Sequence, residues 1–250
     1  MESANVVGYN TVTIKPGYNM FSVNFKNVGN NDGVCIQDLF PGGGKKDTIF
    51  KAGSGEAKAD YIKVWNNAQG EYATYFLYIP AKNIDTNKKS YYWTDSSLNI
   101  TSNRFTNGSA FWFYSRNTED VTATTSGEVE LTEIKTVNIN PGYNMIGSYF
   151  PTGWVLNDEY YSPTYWKNSE AIAGSGEAKA DYLKVWNAAQ NEYSTYFLYI
   201  PAKNIDTNKK SYHWVDSSLN IISNSVMGAG QGAWYYHRGS GFNLEIKKQF

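Results

Sequence analysis

Residues 52–100 read AGSGEAKADYIKVWNNAQGEYATYFLYIPAKNIDTNKKSYYWTDSSLNI, and nearly the same sequence returns at residues 173–221. The two stretches are identical at 43 of 49 positions, with an offset of 121 residues between them. Solenoid and propeller repeats have much shorter periods. The repeat therefore predicts two copies of one domain rather than a stacked array.

Shorter matches on either side extend both copies. Residues 11–20 match residues 136–145, and residues 110–114 correspond to residues 232–236. Between these blocks the copies have diverged. The near-identical centre has two interpretations: a recent duplication, or a binding surface that both copies have kept, because loops ordinarily change faster than strands.

The repeat also sets the expected domain boundaries. We predict a first β domain over residues 1–120 and a second over residues 128–250. Residues 117–127 are rich in Thr, Ser and acidic residues, a composition that is typical of loops. We therefore predict that this segment links the two domains.

Within each copy the residue pattern indicates strands. Residues 71–79 alternate between two sets that would face opposite sides of a sheet: Tyr72, Thr74, Phe76 and Tyr78, and Ala73, Tyr75, Leu77 and Ile79. Pro16 and Gly17 mark a turn, and no useful window has the apolar periodicity of an amphipathic helix. The predicted fold class is all-β, with two tandem duplicated β-sandwich or barrel-like domains.

Charge and composition exclude several classes of function. The chain has 22 basic and 23 acidic residues among 250, so it has no strong field that would attract nucleic acid. Its only arginines are Arg104, Arg116 and Arg238, which further disfavours a nucleic-acid partner. No apolar stretch approaches the roughly 20 residues of a membrane helix, so membrane insertion is not expected. Cys35 is the only cysteine, which leaves no internal disulfide.

Candidates for catalysis are few. The only histidines are His213 and His237, whose equivalents in the first copy are Tyr92 and Ser115, so a histidine site would exist in one copy alone. With Cys35 they show no zinc-ligand spacing, and we predict no metal or cofactor. A glycan-cleaving hydrolase needs two facing carboxylates, and the duplicated candidates are Glu56, Asp60, Asp85, Asp95, Glu177, Asp181, Asp206 and Asp216.

Aromatic residues make up 16% of the chain, and matched tryptophans are the best candidates for a binding surface. Flat indole faces stack on sugar rings, while neighbouring carboxylates bind hydroxyl groups. The predicted binding residues are Trp65, Trp93, Trp112, Trp186, Trp214 and Trp234, together with Asp95 and Asp216. This interpretation requires at least one matched tryptophan pair to be exposed.

The start of the chain carries a family resemblance. Residues 3–9 read SANVVGY and residues 16–20 read PGYNM, and the closing element of the first copy, residues 108–112, reads GSAFW. This arrangement resembles secreted β-rich repeat proteins common in bacteria of the Verrucomicrobia and Lentisphaerae type. The resemblance implies export, with a signal peptide already removed, and a β fold; it implies no activity and no functional residues.

Together these features predict a non-catalytic extracellular or cell-surface protein. Its first expected partner is a glycan or cell-surface polymer, bound through duplicated sites whose avidity exceeds that of either one alone. The first alternative is a self-assembling structural protein, a surface-layer or fibre subunit whose exposed strand edges pair. The second alternative is the glycan-cleaving hydrolase.

Overall fold

The computed structural model describes residues 6–28, 33–39, 49–80, 91–157, 170–201 and 212–248. Repeat 1 contains strands β1 Val7–Ile14, β2 Gly17–Ser22, β3 Val34–Cys35, β4 Tyr61–Asn66, β5 Glu71–Tyr78, β6 Tyr92–Thr94, β7 Arg104–Phe105, β8 Ala110–Ser115 and β9 Val121–Glu128. Repeat 2 contains β10 Ile134–Ile139, β11 Gly142–Gly147, β12 Tyr182–Asn187, β13 Glu192–Tyr199, β14 His213–Asp216, β15 Gly232–His237 and β16 Phe242–Lys247. Helical structure in the described ranges is limited to α1 Ile36–Leu39 and two single 3₁₀ turns, Glu56–Lys58 and Glu177–Lys179.

The five-stranded sheets of the two repeats have the same topology, and repeat 1 also contains a short antiparallel pair of β3 with β7. Sheet 1 has the strand order β2-β8-β4-β5-β6, and sheet 2 has the order β11-β15-β12-β13-β14, which matches it strand for strand. A separate two-stranded ribbon accompanies each sheet, β1 with β9 and β10 with β16, and the pairs in both ribbons and both sheets are antiparallel. The prediction of a duplicated all-β fold is confirmed.

Each ribbon packs on the inner face of its own sheet. In repeat 1 the core joins Ile14 and Ala123 of the ribbon to Ile62, Leu77 and Trp93 of the sheet. Repeat 2 builds an equivalent core from both of its layers. Side chains on two facing layers thus close one apolar interior, which makes each repeat a small β-sandwich.

The outer face of each sheet is aromatic as well. On β4, Ile62 and Val64 pack in the core, whereas Tyr61 and Trp65 belong to clusters on the opposite face. The predicted alternation along β5 is confirmed in the same way, since Leu77 lies in the core and Phe76 lies on the outer face. A sheet with large apolar groups on both faces needs a cover on both sides.

The turn formed by residues 15–20 places an aromatic residue on that outer face. Gly17 takes a positive φ of 83°, which glycine adopts without steric cost. The Asn19 side chain then clamps the turn, accepting from the Lys15 N–H at 2.8 Å and donating to the Lys15 carbonyl at 2.8 Å. Tyr18 and Met20 therefore share one face of β2. The same contacts recur in repeat 2.

The predicted linker is corrected by the structure. Most of residues 117–127 belong to β9, which pairs with β1 along all eight residues, so this segment is part of repeat 1. Thr and Ser suit the exposed face of a ribbon, while Ala123 turns inward and is buried. The chain instead passes between the repeats over residues 129–133.

A buried carboxylate anchors this junction. The Glu130 side chain is 1% exposed, and its carboxylate lies 2.9 Å from the Lys26 ammonium and 2.6 Å from the Lys135 ammonium. Thr132 adds hydrogen bonds from its backbone N–H and its hydroxyl. Burial raises the pKa of Glu130, but the bonds from Lys135, Thr132 and Lys26 outweigh it and lower the pKa to about 2.

This pKa predicts acid sensitivity. Because the folded pKa lies below the ordinary value of 4.5, the stabilisation is complete above pH 4.5 and is lost as the pH falls toward 2. We expect Glu130→Gln to lower the free energy of unfolding by about 2 kcal/mol at pH 7 and by much less near pH 2.5. Urea unfolding of both chains across this range tests the prediction, and a difference that stays constant with pH would contradict it.

Candidate binding cleft

The two sheets meet through their outer faces at one aromatic cluster, which we call the seam. Its members are contributed equally by the two repeats: Met20, Trp65, Trp112, Met145, Trp186 and Trp234. Trp112 and Trp234 are only 8% and 7% exposed. Backbone contacts reinforce the seam, because the Ser22 N–H donates to the Gly230 carbonyl at 2.7 Å.

The tryptophans of the seam pack with near two-fold symmetry. Trp112 meets Trp186 edge to face, with ring centroids 5.5 Å apart and planes at 81°. Trp65 meets Trp234 at 5.6 Å and 81°. Equivalent tryptophans of the two repeats thus make equivalent contacts across the seam, as in an isologous dimer interface. Edge-to-face geometry is the arrangement that the charge distribution of aromatic rings favours.

The symmetry is broken at the indole N–H groups. Trp186 Nε1 donates to the Tyr18 carbonyl at 2.7 Å. Its equivalent, Trp65 Nε1, is buried and has no hydrogen-bond partner among the described residues. The half of the seam around Trp186 is therefore closed by a bond that the half around Trp65 lacks.

A cleft opens in the half around Trp65. It has a volume of about 340 Å³ and is lined by Trp65, Tyr72, Tyr143, Lys184, Tyr193 and Trp234. Repeat 1 supplies the first two of these residues and repeat 2 supplies the others, so the cleft requires both repeats. The three tyrosines are between 39% and 46% exposed, so part of each side chain is accessible from the cleft.

The hydroxyls of Tyr72 and Tyr193 remain protonated over the ordinary pH range. Burial, with a smaller contribution from nearby Tyr72, raises the pKa of Tyr193 to about 12, although a hydrogen bond from Trp234 opposes the shift. Burial also raises the pKa of Tyr72, against a hydrogen bond from Trp112. A protonated hydroxyl both donates and accepts hydrogen bonds, as binding of a polyol requires.

The structure places the six predicted tryptophans in three different environments. Trp93 and Trp214 are fully buried in the cores of their repeats, so their prediction as binding residues is wrong, because a ring without exposed area offers no stacking face. Trp112 and Trp186 lie in the seam without lining the cleft. Trp65 and Trp234 are the members of the set that line it.

The predicted binding role of Asp95 and Asp216 is also not supported. Asp95 Oδ1 accepts from the N–H groups of Ser97 and Asn99 at 2.9 and 3.0 Å, and Oδ2 accepts from the Asn99 side chain. Asp216 forms the same bonds, which lower the pKa of both carboxyls, foremost those from Asn99 and Asn220. Both residues hold turns, and neither lines the cleft.

Among the other candidate carboxylates, Glu56 and Glu177 lie in the two 3₁₀ turns. Asp60 and Asp181 are fully buried and accept backbone N–H groups, so neither reaches a substrate. Asp85 and Asp206 lie outside the described residues. Within the described ranges no three His, Cys, Asp or Glu side chains are placed to hold a metal ion.

Sequence reasoning missed the tyrosines of the cleft. Tyr72 and Tyr193 occupy equivalent positions on β5 and β13, and Tyr143 follows the glycine of the turn that opens β11. The available signal was the alternation along β5, which placed aromatic residues on both faces of the strand. An outer face of this kind indicates either a second packing partner or a ligand, and here it serves the seam and the cleft.

The remaining observations on this chain leave its family open. No helix in the described segments is long and apolar enough to cross a membrane. Compared with known proteins, the chain matches no family model, no curated protein and no solved structure.

Proposed function

We propose that this protein is a non-catalytic carbohydrate-binding protein whose ligand occupies the cleft between the two repeats. The observation that carries the proposal is the composition of the cleft: aromatic walls, three half-exposed tyrosines and one lysine. Specific small-ligand sites combine apolar walls with a few polar groups that fix orientation. Sugars match this chemistry because they present apolar C–H faces beside hydroxyl groups.

The proposal differs from the duplicated sites expected from the sequence. Tyr72 and Tyr193 are equivalent residues, yet both line the same cleft. The chain would then bind one ligand across both repeats, rather than two ligands with additive avidity. The extracellular or cell-surface location stays a prediction from the sequence.

Binding measurements on variants of the intact chain test the proposal. After a glycan-array screen identifies a ligand, calorimetry should give one site per chain. Tyr72→Ala or Tyr193→Ala alone should weaken binding by about tenfold or more, because each substitution removes part of the cleft wall. Tyr9→Ala is the matched control, since Tyr9 is 78% exposed and does not line the cleft.

Two other outcomes would contradict the proposal of a single carbohydrate-binding cleft. Two sites per chain, with each tyrosine variant losing only one of them, would favour duplicated binding. Silence across the array by a folded chain would favour self-association instead, for which Val7 and Tyr9 on β1, 59% and 78% exposed, are the best candidates.

A further inference from the structure

We propose that the cleft selects an acidic sugar, one whose ring carries a carboxylate, and that Lys184 reads this group. This inference rests on the proposed function and adds the class of glycan to it. Among the described residues that line the cleft, Lys184 is the one that carries a charge, and none of them is acidic. A ligand in the cleft would therefore meet a single positive charge between aromatic walls.

The Lys184 ammonium is held in place without being neutralised. It lies 5.3 Å from the centroid of the Tyr182 ring, a cation–π contact that orients the side chain along β12. Its nearest acidic group is Glu177 Oε1 at 3.9 Å, on a side chain that is 43% exposed. An ion pair at this distance and exposure is weak and is screened by salt, so the ammonium retains hydrogen-bond donors for a ligand.

When a ligand buries the Lys184 ammonium, the charge discriminates between acidic and neutral sugars. A neutral sugar that covers Lys184 would remove water from the ammonium and offer it only hydroxyl oxygens, so part of the solvation would not be recovered. A carboxylate compensates for the lost solvation of the ammonium through a charge-assisted hydrogen bond. Discrimination then comes from penalising the neutral ligand as well as from attracting the acidic one.

Matched ligand pairs and matched variants test the inference on the intact protein. The probes are short oligosaccharides of galacturonic, glucuronic and mannuronic acid, each beside its methyl ester, which removes the charge and keeps the backbone. We expect at least one acid to bind about tenfold or more tightly than its ester, with an affinity that falls as salt rises. Lys184→Gln should abolish this preference. Lys63→Gln, at the equivalent position in repeat 1, should preserve it, because Lys63 does not line the cleft.

The remaining results separate this inference from the proposed function. Equal affinity for acid and ester, or a preference that survives Lys184→Gln, would overturn the acidic-sugar inference while leaving a carbohydrate-binding cleft in place. Absence of binding to any of these probes and to the neutral glycans of the array would overturn both. Binding that persists in the Tyr72→Ala, Tyr193→Ala double variant would place the ligand outside the cleft and would also overturn both.

Discussion

Replacing Trp112 and Trp234 together by alanine is expected to split the unfolding of the chain into two transitions. Both indoles are almost fully buried in the seam, and each makes an edge-to-face contact with a tryptophan of the other repeat. Removing a buried tryptophan costs about 3–5 kcal/mol. Loss of both would leave the seam without the ring pairs that join the repeats, and each sandwich would then unfold independently.

Urea unfolding followed by circular dichroism, with calorimetry as a second probe, measures this change. The unaltered chain and the Tyr9→Ala control should each unfold in one transition, since that substitution removes a side chain outside the seam. A double-mutant cycle over Trp112 and Trp186 should give a coupling energy of about 0.5–1.5 kcal/mol, the typical range for an aromatic pair. A single cooperative transition in the Trp112→Ala, Trp234→Ala chain would show that the seam does not couple the repeats.

The parts of this fold that could be predicted from sequence are those that depend on local pattern. Alternation along β5 gave its strand and both of its faces, and the Pro16–Gly17 pair marked the turn between β1 and β2. Strand β9 could not be predicted from local pattern. Its polar residues resemble a linker, and nothing local reveals that it pairs with β1, which lies more than 100 residues earlier in the chain.

The candidate site was harder to predict for a related reason. Aromatic residues lie on both faces of each sheet, so period-two alternation identifies which residues share a face but not which face is the core. Trp93 and Trp65 look equivalent in sequence, yet one is fully buried and the other lines the cleft. The choice depends on how the two repeats pack together, and the contacts of the seam join residues far apart in sequence.

The seam also bears on why residues 52–100 and 173–221 are nearly identical. In this pseudo-two-fold interface the seam residues of each copy pack against the other copy, so a change in one copy disturbs a contact of the other. Trp65, Tyr72 and their equivalents Trp186 and Tyr193 all lie in these stretches, and all contact the opposite repeat. Retention of both copies thus has a structural explanation alongside recent duplication and a kept binding surface.

Asp181→Ala is expected to be among the most destabilising substitutions of a polar residue. Asp181 is fully buried, and its Oδ2 lies 2.7 Å from the Tyr235 hydroxyl and 2.8 Å from His237 Nδ1. The other ring nitrogen of His237 faces the Ser240 carbonyl at 2.6 Å. Asp181→Ala would leave the Tyr235 hydroxyl and His237 Nδ1 without this partner, in addition to the backbone N–H groups of Ile172 and Arg238. Each buried polar group that loses its partner costs about 1–3 kcal/mol.

Repeat 1 provides the matched comparison for this site. Asp60 is equally buried and accepts the same backbone N–H groups, from Lys51 and Arg116, but Phe113 and Ser115 stand where repeat 2 has Tyr235 and His237. Burial raises the pKa of Asp60, against the backbone bonds from Arg116 and Lys51. Asp60→Ala leaves only backbone donors unpaired, so we expect it to cost about 1–3 kcal/mol, less than Asp181→Ala.

Placing the repeat 1 residues at positions 235 and 237 shows whether Tyr235 and His237 cause the larger destabilisation expected for Asp181→Ala. In a chain that carries Tyr235→Phe and His237→Ser, the additional cost of Asp181→Ala should fall to about the cost of Asp60→Ala, because the same number of donors then loses a partner. Denaturant unfolding measures these costs in five chains: the unaltered protein, Asp60→Ala, Asp181→Ala, the transplanted chain with Tyr235→Phe and His237→Ser, and the transplanted chain with Asp181→Ala. If Asp181→Ala remains equally damaging in the transplanted background, its role lies in the backbone bonds to Ile172 and Arg238, and the pairing with His237 adds little to stability.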